Sequence, residues 1–247
     1  GISLLTPAGW QLWQELAELA PADALACLTG LDDERAWQAR ERYADAQPVF
    51  GQIVLGSLSG LASERAWTLR ERLLEARSKE LSVSYELSRV LAKSVTGLAD
   101  DRAWQLRREA KKLAPVAALS SLSGLTDAES WQWRAESLKK APKVVMATLK
   151  ACFTDVAWQM RQDVVFDCKE ALDGLQGIDS EAAWSLRAES RDIWPSTVVK
   201  TLGSLADVAR GKELLERQMH AYPDNVSLLK HVSSIALGLH RQASASF

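Results

Sequence analysis

Apolar positions along this chain follow a helical spacing, and the largest of them return on a longer period. The segments Leu31-Asp-Asp-Glu-Arg-Ala-Trp37-Gln-Ala-Arg40, Leu61-Ala-Ser-Glu-Arg-Ala-Trp67-Thr-Leu-Arg70 and Leu98-Ala-Asp-Asp-Arg-Ala-Trp104-Gln-Leu-Arg107 are near copies of one another. Looser copies follow at Ser130-Trp131-Gln-Trp-Arg134, Ala157-Trp158-Gln-Met-Arg161 and Ala183-Trp184-Ser-Leu-Arg187, and Gly9-Trp10-Gln-Leu-Trp13 opens the series. Within a copy, apolar groups fall at the Trp, two positions on, and six or seven positions on (Leu73, Leu138, Val164), which places them on one stripe of a helix about 12 residues long. Period-two alternation with paired turn signals is not found over any useful length, so a strand reading has no support.

The aligned tryptophans are Trp10, Trp37, Trp67, Trp104, Trp131, Trp158 and Trp184, with spacings of 27, 30, 37, 27, 27 and 26. One further step reaches Gly211 inside a degenerate eighth copy, assigned to residues 203–247. Four positions before the Trp of the six central copies stand Asp33, Ser63, Asp100, Asp127, Thr154 and Ser180, all able to accept from the orphan amides of a helix start. Pro48, Pro115, Pro142 and Pro195 then lie 11 residues past their tryptophans and suit a turn or the first turn of a second helix. Gly60, Gly97, Gly124, Gly177 and Gly203 are placed to end that helix. The 37-residue spacing holds ten extra residues around Ser78–Ser88, expected to lengthen that copy's helices or turn. Glu213–Leu239, turning at Tyr222-Pro-Asp-Asn225, is expected to form one more helical pair.

The expected fold is therefore all-α, an α-α superhelix of about eight short two-helix copies running through residues 1–247 as one domain. These tandem capped hairpins resemble HEAT-like and armadillo-like α-solenoids, with a period of about 27 that is shorter than either. Leu214–Ile235 is similar to part of a tetratricopeptide unit. What the resemblance implies is a curved binding scaffold, with no reaction attached.

Composition alters this picture little. Hydrophobic residues at 47% and charged residues at 25% are those of a chain with ample core, and a formal net charge of −2 provides no general field for phosphate or anionic lipid. The charge is uneven: residues 1–50 carry 3 basic and 8 acidic groups, 101–150 carry 10 and 5, and 151–200 carry 5 and 9. Cys27, Cys152 and Cys168 are odd in number and widely spaced, which argues against a disulfide framework or zinc site and for a reducing cytoplasm. No apolar run reaches the roughly 18 residues of a membrane span, and no signal-peptide pattern opens the chain. Gly1 stands first, which suggests a processed or excised chain.

A bulky aromatic returning at one helical position reads as core between copies, which leaves Trp13, Trp133 and Trp194, outside that register, as the better contact candidates. Arg40, Arg70, Arg107, Arg134, Arg161 and Arg187, three residues past their tryptophans, have three open roles: stacking on the indole, bridging to the neighbouring copy, or forming a ladder of donors for phosphate or an acidic partner. The structural roles are favoured because the flanking copies are acidic. Arg107, Arg108, Lys111 and Lys112, followed one copy later by Lys139, Lys140 and Lys143, are expected to form a basic strip and are the candidate partner-binding residues. His220, His231 and His240 share no helical turn, and the chain lacks phosphate-cradling glycine loops and a nucleophile elbow. No cofactor, metal or catalytic residue is expected.

The function expected is a non-catalytic protein-interaction scaffold whose helical surface meets a protein with an acidic segment. Two other readings stand beside it: a dimerisation or recruitment appendage of a larger enzyme, and a non-specific nucleic-acid grip.

Overall fold

The computed structural model describes residues 6–46, 48–78, 85–232 and 235–236, and every regular element among them is a helix. Two compact units divide the chain, Gly1–Trp131 and Gln132–Phe247. The first contains α1 (Pro7–Leu19), α2 (Pro21–Cys27), α3 (Glu34–Ala46), α4 (Pro48–Ser57), α5 (Glu64–Ser78), α6 (Tyr85–Ser94), α7 (Asp101–Leu113), α8 (Pro115–Ser120) and the start of α9 (Ala128–Ser137). The second contains the rest of α9, then α10 (Pro142–Thr148), α11 (Asp155–Val164), a 3-10 turn Lys169–Leu172, α12 (Glu181–Ser190), α13 (Pro195–Lys200) and α14 (Val208–Ala221). Helical backbone resumes at 226–232.

The long helices begin where the polar caps stand. Ser63, Asp100, Asp127, Thr154 and Ser180 each accept from the amide three residues on, Asp33 accepts from Arg35 N, and Thr6 does the same for α1. The short helices begin at proline, which has no amide to orphan: Pro21, Pro48, Pro115, Pro142 and Pro195 are all first residues. Gly60, Gly97, Gly124 and Gly177 take positive φ, as expected of stops, whereas at the end of α13 the left-handed residue is Ser204 and not Gly203. Gly203 instead lies buried, its carbonyl accepting from Gly177 N at 3.0 Å.

The copy anchored on Trp158 departs from the two-helix expectation, because its second element is only the 3-10 turn. Lys169 stands where other copies have proline, and this copy is the shortest at 26 residues. Gly174 closes the turn at φ +82°, where a Cβ would overlap Lys150 O. Of the expected insertion, residues 79–84 lie outside the described ones; α5 has grown to 15 residues. The expected Glu213–Leu239 pair starts earlier, at Val208, and its end, with His240, lies outside the described residues.

In the first unit a core forms around Trp10, Trp13, Leu25, Trp37, Leu55 and Leu58, and in the second another forms around Trp184, Val199, Leu202, Leu215 and Leu228. Each such aliphatic side chain withdrawn from water is worth roughly 1.5–3 kcal/mol. Of the aligned tryptophans, Trp10, Trp37, Trp67, Trp104 and Trp184 are buried, while Trp131 and Trp158 are half-buried.

Candidate functional site

Six arginines are among the most deeply buried side chains: Arg40, Arg70, Arg107, Arg134, Arg161 and Arg187 are each at most 1% exposed. Their partners recur. Arg40 Nη2 donates to Leu28 O at 2.5 Å and Nη1 to Leu31 O at 2.9 Å, that is, to residues 12 and 9 back. Arg70 reaches Leu58 O and Leu61 O, Arg161 reaches Leu149 O and Cys152 O, and Arg187 reaches Leu175 O and Ile178 O at the same separations. Those carbonyls lie at the end of the preceding short element, where the last turn leaves acceptors without intrahelical donors and the helix dipole is negative.

A forward contact completes the fork. Nε donates to a hydroxyl ending the copy's own short helix: Ser57 for Arg40, Ser121 for Arg107, Thr148 for Arg134 and Thr201 for Arg187. Each hydroxyl donates in turn to the carbonyl three residues before it. The forward separation is 14 residues in 27-residue copies, 17 for Arg40 and 24 for the Arg70 contact to Ser94 O, while the backward separations stay at 12 and 9. The extra residues of the longer copies therefore fall between Arg and hydroxyl and leave the contact to the preceding copy intact. Arg70 is the least well served, with Nε and Nη1 unpartnered.

Burial pulls the guanidinium pKa of Arg40, Arg70, Arg107 and Arg187 down to about 10, still far enough above neutrality to keep the cation. The cation also lies over its own indole, 4.9 Å from the ring centre for Arg40 on Trp37 and 4.7 Å for Arg187 on Trp184. Stacking and bridging are thus combined in one side chain, and no donor of this series faces solvent. The off-register tryptophans, expected as contact residues, are also packed: Trp13 donates to Ala24 O, Trp194 donates to Val165 O, and Trp133 is buried.

A second arginine series also lies over the indoles, and it was missed in the sequence although Glu-Arg-Ala-Trp displays it. Arg65, two residues before Trp67, lies over Trp37 and pairs with Glu34 and Glu41; Arg102 lies over Trp67 and pairs with Glu64 and Glu71; Arg210 lies over Trp184 and pairs with Glu181. Hydrogen bonds from Arg65 hold the Glu34 and Glu41 carboxyls below their ordinary range. Trp37, Trp67 and Trp184 therefore each carry two guanidinium groups over the ring, 4.6–5.1 Å from its centre.

The candidate basic residues divide between the units. Arg107 is not on the surface: it belongs to the buried series, donating to Val95 O at 2.5 Å and to Ser121. Arg108 is forked onto Glu129, Lys112 pairs with Glu109, and Lys111 is half-buried on α7. In the second unit Lys143 lies 3.9 Å from Glu170, and Lys139 and Lys140 line an open hollow of about 490 Å³ between α9 and α11. A larger hollow of about 730 Å³ lies between α1 and α3, lined by Trp10, Trp13, Arg35, Arg42 and Tyr43 among others.

Among the described residues no group of three or more His, Cys, Asp or Glu side chains could hold a metal ion, and no helix is long and apolar enough to cross a membrane. All three cysteines are free, and Cys168 is the buried one, its thiol pushed up to about 11 by burial and the Glu170 carboxylate. No family model, curated protein or solved structure matches the chain.

Proposed function

We propose that the chain is a non-catalytic binding module, a solenoid of short αα hairpins that presents an extended helical surface to another protein. One observation carries the reading. The residues that recur from copy to copy, Trp and both arginine series, are engaged with the neighbouring copy, so recurrence here serves cohesion. A partner is left with the exposed side chains that differ between copies, which is the division of labour in helical arrays. Three unpaired thiols fit a reducing compartment.

Two measurements test it. Small-angle scattering is expected to give a radius of gyration well above the ~18 Å of a compact domain of this length; a value near that figure overturns the solenoid. Affinity purification from native cells with quantitative mass spectrometry is expected to yield a protein that re-forms a stoichiometric complex with the purified chain. Failure of every enriched protein to reconstitute overturns the binding role.

A further inference from the structure

At three successive junctions between long helices, the position four residues past one aligned Trp meets the position two before the next with opposite charge. Glu41 pairs with Arg65, Glu71 with Arg102, and Arg108 with Glu129 in reversed sense. At the α9–α11 junction those two positions are Ala135 and Val156, both exposed, Val156 by 46%. No ion pair closes this spot, and the 490 Å³ hollow opens there with Leu138, Val156 and Met160 on its walls.

Lys139 and Lys140 line the same hollow, both are exposed, and neither ammonium has a partner among the described residues. The surrounding stretch, residues 137–154, carries Lys139, Lys140, Lys143 and Lys150 and no acidic residue. The lining also holds two carboxylates, Glu136 and Asp163, which accept from the neutral amides of Gln132 and Gln159 and keep their charge, and neither forms an ion pair with Lys139 or Lys140. An apolar opening bordered by unpaired cations suits a ligand with an apolar anchor and adjacent negative charge. A phosphate backbone supplies the charge without the anchor.

Resting on the binding-module reading, we infer that this hollow docks a short acidic segment of a partner protein. An aliphatic or aromatic side chain enters against Val156 and Met160, and flanking carboxylates meet Lys139 and Lys140.

The test is selection of a displayed library of random 12-residue peptides on the full 247-residue chain. Subtraction uses Ala135→Glu/Val156→Arg, which places over the hollow the ion pair of the three preceding junctions and is expected to keep the fold, since both positions are exposed. The selected peptides are expected to place Asp or Glu beside Leu, Ile or Phe. By fluorescence anisotropy they are expected to bind the double variant and Lys139→Glu/Lys140→Glu at least tenfold more weakly, with unchanged melting of both proteins. A neutral or basic pool, or affinities the variants leave alone, overturns the site. A native partner that reconstitutes yet ignores both variants also overturns it, while the binding-module reading survives.

Discussion

Arg187 Nε donates to Thr201 Oγ1 at 2.9 Å, and Thr201 Oγ1 donates onward to Val198 O at 2.7 Å. The hydroxyl thereby accepts from a buried cation while tying down the last turn of α13, so one threonine locks two elements to each other. Because the arginine also serves Leu175 O, Ile178 O and Thr201 O, its removal takes a donor from three carbonyls and from the Thr201 hydroxyl at once.

Arg187→Met is accordingly expected to destabilise by at least ~3 kcal/mol, since each buried polar group left unsatisfied costs about 1–3 kcal/mol. Arg187→Lys is not expected to rescue, because one ammonium cannot span the planar fork. Thr201→Val should cost about 1–2 kcal/mol. Urea denaturation followed by far-ultraviolet circular dichroism ranks the three.

The tryptophans are not equivalent. Trp37→Ala and Trp184→Ala each empty a buried site and are expected to cost about 3–5 kcal/mol, whereas Trp131→Ala, at a half-buried position, should cost less. Equal losses in thermal melts would show that burial does not set the order.

Two glycines separate backbone strain from close approach. Gly60 has φ +78° with open space where a Cβ would go, so Gly60→Ala is expected to cost about 1–2 kcal/mol. Gly174→Ala adds an overlap with Lys150 O and forces the 3-10 turn to move, so its melting midpoint should fall further.

Acid should loosen the first unit through Glu34 and Glu41. Their folded carboxyls are held below the ordinary range by Arg65, so their contribution is present above that range and is lost as pH falls through the lowered values. The urea midpoint of the wild type is expected to drop between pH 6 and pH 3, and Glu41→Gln is expected to flatten that dependence.

Thiol reactivity should follow exposure. At pH 8, iodoacetamide is expected to modify exposed Cys27 first and Cys168 last, since the latter is buried with its pKa raised to about 11; peptide mass spectrometry reads the order.

Much of this was legible beforehand because it is local. A cap needs its side chain three residues from an amide, so Ser63, Asp100 and Ser180 could be placed on helix starts from spacing alone. Proline at a first turn is equally local. Gly203 misled because two adjacent small residues can both end a helix, and the neighbouring turn from Gly177 took its carbonyl. Arg107 misled because its neighbour Arg108 and the nearby lysines share its charge, and charge alone does not say which side of a helix is covered.

The sequence by itself determined that the chain is helical, where most helices start, and that Trp and Arg return together, since these follow from spacings within a few turns. Only the tertiary structure decided that the Trp-x-x-Arg arginine is buried on carbonyls of the preceding turn, 12 and 9 residues back in Arg40 and Arg187, and that Arg40, Arg107, Arg134 and Arg187 also reach a hydroxyl 14 to 17 residues ahead. It also decided that Ala135 and Val156 stand where the three preceding junctions close with an ion pair. Those partners are brought together by packing between helices, and packing geometry is not carried by any one segment of the chain.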